Sequence, residues 1–216
     1  MHETPFETRY AEYDAWFDAN ANVFASELLA IRQILPEPGR WVEIGVGSGR
    51  FASALEIDTG VEPAEGIAGL ARARGIEVLN GVAEDLPLAD RSMDAVFLIT
   101  TLCFLDDMAR AFTEVTRVLV AGGTAIVAFI PSDSPFGRMY TGAAAQDPFF
   151  RQAILRPRAA VVAALSAAGL HLECSTCTLM ADPVAANDRV ETPAEGWERG
   201  SFVALRAIKP AFSGHS

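Results

Sequence analysis

The sequence predicts an α/β fold, a mainly parallel sheet with helices packed on both faces. Three observations predict it. Short apolar strand-like runs and helical stretches alternate at regular spacing from about residue 40 to residue 130. The first of those runs breaks into Gly45-Val46-Gly47-Ser48-Gly49 at the start of a helical stretch, which is the strand, tight turn and helix of a parallel unit. Half of the 216 residues are hydrophobic and 21% are charged, so one domain with a substantial core is expected.

Each element has its own local reason. Phe24, Leu28, Ile31 and Leu35 recur at helical spacing and Pro36 stops the run, giving a helix over 22–35; the aromatic stretch 10–17 before it is expected to be helical too. Residues 41–46 read as a buried strand, followed by a helix from near Gly49 carrying Phe51, Ala54 and Leu55. Next come a strand at 59–62, a helix at 64–74 and strands at 77–82 and 93–100. Asp106 or Asp107 can cap a helix whose Phe112, Val115 and Leu119 face inward, with Gly122-Gly123 ending it before a strand at 124–130. Residues 131–150, rich in Pro, Gly, Ser and aromatics, read as a loop or broken helical insertion over one sheet edge. An amphipathic helix at 157–168 stops at Gly169, and the runs 172–180 and 202–208 close the sheet as a pair of strands.

Composition narrows the function. A net charge of −11 opposes nucleic-acid binding, which depends on surplus Lys and Arg, and leaves small molecules as the expected partners. The first residues show no basic stretch followed by an apolar run, and no uncharged stretch reaches about 18 residues, so a cytoplasmic protein without membrane segments is expected. Three unevenly placed cysteines, Cys103, Cys174 and Cys177, form no disulfide framework.

The glycine turn carries the chemistry. A strand running through glycines into a helix aims backbone N–H groups and the positive end of the helix at a ligand. Two readings compete. The dinucleotide fingerprint G-x-G-x-x-G needs its third glycine where Arg50 stands, so here that glycine comes one residue early. The other reading is E-x-G-x-G-x-G, with Glu43 two residues before Gly45. At this turn the sequence resembles the class I S-adenosylmethionine-dependent methyltransferases, in particular the branch of small bacterial ubiquinone-biosynthesis-like and "type 11" enzymes. The likeness continues through Gly60-Val61-Glu62-Pro63, Gly81-Val82-Ala83-Glu84-Asp85-Leu86-Pro87, Ser92-Met93-Asp94-Ala95-Val96 and Thr100-Thr101. It ends at Glu114-x-x-Arg117-Val118-Leu119-x-x-Gly122-Gly123, where Val120-Ala121 replace the family's usual Lys-Pro.

The resemblance implies a Rossmann-like three-layer αβα sandwich on a mainly parallel seven-stranded sheet with an antiparallel C-terminal strand. It implies S-adenosylmethionine as cofactor, held by Glu43, Gly45, Val46, Gly47, Gly49, Glu62, Pro63, Ala83, Glu84, Thr100 and Thr101. Glu62 would hold both ribose hydroxyls, a task that suits a carboxylate because it accepts two hydrogen bonds at once. Ala83 and Glu84 would lie against the adenine edge. The alternative for Glu62 is a solvated strand-end acid, and for Glu84 more readily so; Asp94 reads as a structural tie between strands and Arg117 as a helix-end charge facing the dipole. The expected layout is a single methyltransferase domain over 1–216: a helical lid at 1–36, a cofactor-binding core at 37–130, a substrate wall at 131–156 and closing elements at 157–216.

Methyl transfer from a sulfonium is an in-line displacement whose donor is already activated, so positioning and exclusion of water suffice without an obligatory acid, base or metal. No catalytic residue is therefore assigned. His2 and His215 lie at the termini, His171 begins a late strand away from the site, and Cys103 reads as a small buried residue. Cys174 and Cys177, three apart in a strand-like run, point to opposite faces and make neither a redox pair nor a zinc site. Tyr10, Tyr13, Trp16 and Phe17 on the lid, with Phe136, Met139, Tyr140, Phe149 and Phe150 opposite, are candidates for an acceptor pocket, against the alternative of plain core packing. The expected partner is a small methyl acceptor and the expected assembly a monomer or homodimer. A non-catalytic S-adenosylmethionine binder and an NAD(P)-dependent oxidoreductase are the competing functions.

Overall fold

A computed structural model describes residues 4–143 and 147–211. In chain order the elements are α1 (Pro5–Thr8), α2 (Tyr10–Ala19), α3 (Ala21–Arg32), β1 (Trp41–Ile44), α4 (Arg50–Leu55), β2 (Thr59–Val61), α5 (Glu65–Ala73) and β3 (Glu77–Leu79). They continue as β4 (Met93–Ile99), a 3-10 turn at Leu102–Phe104, α6 (Met108–Val118), β5 (Leu119–Phe129), α7 (Pro135–Ala143), α8 (Arg158–Ala167), β6 (His171–Thr178), β7 (Ala194–Glu195) and β8 (Phe202–Ile208). The strands form one sheet in the order β3-β2-β1-β4-β5-β8-β6-β7. Pairs among β1 to β5 are parallel. Those from β5 through β8 and β6 to β7 are antiparallel.

Strand alternation builds the three layers. Along β4, Ala95, Phe97 and Ile99 point into one core with Phe17, Ala30 and Ile31 of the N-terminal helices and Phe51 of α4. Val96 and Leu98 point the other way, onto Phe112 and Val115 of α6 and Val161 and Leu165 of α8. All five β4 residues are buried, as a strand covered on both faces requires.

The Rossmann-like αβα sandwich is therefore present, with two refinements. The short β7 adds an eighth strand beside β6; β8 is the expected antiparallel C-terminal strand, β6 runs in the direction of β1 to β5, and β7 is a second strand opposed to them. The junction at 118–124 also differs from expectation. Helix α6 ends at Val118 and β5 begins at once with Leu119, which pairs with Met93, while Gly122 and Gly123 lie inside the strand at a register shift. The helix needs no glycine cap because the Lys209 ammonium, 2.7 Å from the carbonyls of Thr116 and Leu119, satisfies its last turn. Asp107 is the N-cap of α6, its Oδ1 accepting from the Arg110 N–H at 3.0 Å.

The insertion contains α7, whose Phe136 is buried against Tyr140. Cys177 is buried and Cys174 exposed on opposite faces of β6, and all three cysteines are free. Among the described residues no helix is long and apolar enough to cross a membrane. His2 and His215 lie outside the described residues.

Candidate functional site

The C-terminal ends of β1, β2 and β4 open together on one edge of the sheet, the usual place for ligands in an open parallel sheet. A cavity of about 290 Å³ lies there, lined by Gly45, Gly47, Glu62, Pro63, Ala83, Glu84, Thr100 and Thr101 among others. Eight of the eleven residues expected to hold a cofactor are thus gathered. Glu43 and Val46 instead border a small void beneath the glycine turn. Gly49 touches neither space.

The three glycines all have positive φ but serve different ends. A Cβ on Gly45 would strike Thr101 Cγ2 at 2.6 Å, so this glycine admits the loop after β4. One on Gly49, at φ +80°, would meet Ile76 Cδ1 at 2.5 Å and the Ala71 Cα at 3.0 Å, so this glycine lets α4 pack on α5. A Cβ on Gly47 would meet nothing closer than Ile67 Cδ1 at 3.7 Å. That open cradle faces the cavity.

Glu62 anchors the cavity floor. Its Oε2 accepts the Gly47 N–H and its Oε1 the Ala64 N–H, each at 3.0 Å, leaving a lone pair on each oxygen for a ligand. Burial raises its pKa, and the two backbone N–H groups oppose the rise. Deeper, the Glu43 carboxyl is buried with Oε2 unpartnered. Burial first, and the nearby Glu62 charge after it, push its pKa well up against a hydrogen bond from the Ala52 backbone. Thr100 sits at φ +54°, a strained value for a β-branched residue, held by its N–H to the Ala128 carbonyl at 2.8 Å. Ala83 and Glu84 lie in the turn after β3, where Glu84 Oε1 accepts the Asp107 N–H and its carbonyl accepts Arg110 Nε.

A second cavity of about 300 Å³ adjoins the first, and Tyr13, Thr100, Phe104, Pro148 and Phe149 belong to both. Its lining is largely aromatic and includes Trp16, Phe17, Tyr140 and Phe150. Of the residues expected to face an acceptor, Tyr13, Phe17 and Tyr140 line it; Tyr10, Phe136 and the exposed Met139 do not. Phe136 is core, 4% exposed. Burial first raises the pKa of Tyr13 and Tyr140, with Cys103 and then the carboxylates of Glu27 and Glu62 adding to it at Tyr13 and those of Glu27 and Asp147 at Tyr140, so both keep neutral hydroxyls. Cys103 also lines this space, its thiol pushed up to about 12 by burial.

Helices α1 and α2 roof both cavities. The Glu7 carboxylate accepts the N–H groups of Glu65 and Gly66 at the start of α5, at 3.1 and 2.9 Å. Asp14 pairs with Arg50 at 2.9 Å and with Arg74 at 2.8 Å, and Asp18 pairs with Arg50 at 2.7 Å.

Two residues with defined roles were not legible as such. Glu27 is 3% exposed and lines the aromatic cavity. Its signal was a charge one helical turn from Val23 and Ile31 on the buried stripe of α3. Arg117 stands in the last turn of α6, as expected of a helix-end charge, and also pins the loop before β4 through Glu114, Asp90 and the carbonyls of Leu86 and Leu88.

Comparison with known proteins gives consistent matches. The family described as Methyltransferase domain matches residues 42–127. A Thermotoga maritima S-adenosylmethionine-dependent methyltransferase, described as a possible histamine N-methyltransferase, is 39% identical with a TM-score of 0.89, covering 94% of this chain and 97% of that one. An uncharacterised protein of Methanocaldococcus jannaschii is 36% identical over 202 residues, 93% of this chain and 97% of its own length. A malonyl-[acyl-carrier protein] O-methyltransferase of Methylococcus capsulatus is 33% identical over 122 residues, 51% of this chain and 44% of the relative.

Proposed function

Since the chain belongs to the S-adenosylmethionine-dependent methyltransferases, we propose that it transfers a methyl group to a small acceptor seated in the aromatic cavity. The observation that carries this reading is the pair of adjoining cavities that share Tyr13, Thr100 and Phe104. A donor and an acceptor bound on either side of that wall would be neighbours, which is what a displacement reaction requires.

The residues fit the cofactor. The open cradle at Gly47 leaves backbone free for close approach. Each Glu62 oxygen keeps a lone pair for a ribose hydroxyl, and Pro63, Ala83 and Glu84 border the place where the adenine would lie. Gly45 and Thr101 fix the turn between them, while Glu43 and Val46 support it from below and Gly49 from the side. When bound, S-adenosylmethionine supplies an activated methyl: the acceptor's lone pair forms the new bond to carbon as the C–S bond breaks and its electron pair stays on sulfur. The chain's own part is to orient and to exclude water, with the lid carrying Tyr13 and Phe17 over the site.

Calorimetric titration with S-adenosylhomocysteine, run beside NADH on the same preparation, tests the cofactor half. One-to-one binding of S-adenosylhomocysteine alone is expected; binding of NADH alone would replace this reading with a redox one. Radiolabelled methyl transfer across a panel of amines, alcohols and thiols then separates an enzyme from a non-catalytic binder of the same fold.

A further inference from the structure

Resting on that reading, we propose that the acceptor is a basic amine carrying an apolar or aromatic group, held through its ammonium by the Glu27 carboxylate, which also takes the proton that frees the nitrogen lone pair.

Glu27 reaches the aromatic cavity from the buried stripe of α3 and is 3% exposed. Among the described residues no hydrogen-bond donor and no cation partners its carboxyl. A buried acid is ordinarily paired, because an unpaired charge is strongly unfavourable in a low-dielectric site. In the free protein a proton on the carboxyl relieves that cost, and a cation entering the cavity would relieve it in the proton's place. The walls suit such a ligand: Tyr13, Trp16, Phe17 and Tyr140 line the cavity, and aromatic rings attract an ammonium and accommodate an apolar body.

The other charged groups at the cavity already have partners or point elsewhere. Arg9 is paired with Glu12. Asp147 accepts the backbone N–H groups of Phe149 and Phe150. Arg156 directs its guanidinium to the Leu105 carbonyl, and its charge acts on Cys103, not on Glu27. Burial alone raises the Glu27 pKa to about 8, so the free protein holds a proton there at neutral pH and releases it when an ammonium pairs with the carboxylate.

The proton steps balance. An ammonium has no lone pair to offer; one N–H proton passes to a Glu27 oxygen, the nitrogen regains its pair, and Glu27 later returns the proton to solvent.

Three probes of one shape test the proposal on protein saturated with S-adenosylhomocysteine: 2-phenylethylamine, 2-phenylethanol and 3-phenylpropionate. Calorimetry should show the amine binding about tenfold or more tighter than the alcohol, and the carboxylate more weakly than either. At pH 7, titrations in two buffers of different ionisation heat should show nearly one proton released per amine bound, and at pH 9.5 almost none. Glu27→Gln should remove both the amine preference and the proton release while leaving affinity for S-adenosylhomocysteine unchanged. An alcohol or carboxylate that binds as tightly as the amine, amine binding without proton release, or no binding of any probe would overturn the proposal. Failure of S-adenosylhomocysteine to bind would instead overturn the reading on which it rests.

Discussion

Gly47 donates its N–H to Glu62 Oε2 at 3.0 Å, tying the turn after β1 to the acidic end of β2. The bond makes the cradle and the carboxylate one unit. A ligand that spans both meets them already aligned.

Glu62→Gln keeps the volume and removes the charge. Loss of charge-assisted hydrogen bonds is worth about 1.5–3 kcal/mol, so affinity for S-adenosylhomocysteine should fall roughly 10- to 100-fold by calorimetry. An unchanged affinity would remove the ribose assignment.

Alanine at two of the glycines separates binding from packing. Gly49→Ala sets a methyl 3.0 Å from the Ala71 backbone at φ +80°, and it should lower the melting temperature strongly. Gly47→Ala clashes with nothing in the protein, so it should melt only slightly lower while losing most of its affinity for S-adenosylhomocysteine. The reverse pattern would contradict the division.

Asp14 ties the lid down. Burial opposes its ionisation, but hydrogen bonds from Arg50, Ser48 and Arg74 outweigh it and hold the carboxylate well below the usual range. Its contribution is therefore present above the ordinary value of 3.8 and is lost as pH falls below it. Asp14→Asn should cost about 1–3 kcal/mol at pH 7. It should also speed amide exchange in α1 and α2, with little further loss on acidification. Protection equal to that of the parent would show that the ion pairs do not hold the roof.

Glu27 has the opposite sign. Between its ordinary value of 4.5 and about 8 the folded state keeps a proton that the unfolded chain has lost. Stability therefore falls by up to about 1.4 kcal/mol per pH unit across that window and levels off above it. Glu27→Gln removes the titration, so its melting temperature should exceed that of the parent by a margin that widens from pH 5 to pH 8. A constant margin would mean that the carboxyl is solvated.

The alternation of apolar runs and the glycine turn made the parallel half of the sheet legible, because a strand covered on both faces has to be apolar throughout. The two-residue β7 carries no such pattern and takes its place only by pairing with Cys177 and Thr176. At 118–124 the glycines resembled a helix stop because the capping ammonium of Lys209 comes from the far end of the chain. In the site, Gly45 and Gly47 look alike in sequence, and only the Thr101 side chain beside one of them tells packing from cradle. Glu27 was hidden because Phe24, Leu28, Ile31 and Leu35 already account for an apolar helical stripe, while the buried face extends past it through Val23, Glu27 and Ala30 to the shared Ile31.

The most direct test of two neighbouring sites sharing one wall is a crystal structure of the protein with S-adenosylhomocysteine. The account predicts the ribose on Glu62 and the sulfur beside Thr100 and Tyr13, facing the aromatic cavity. A ligand seated elsewhere, or one whose sulfur faces away from that wall, would contradict it.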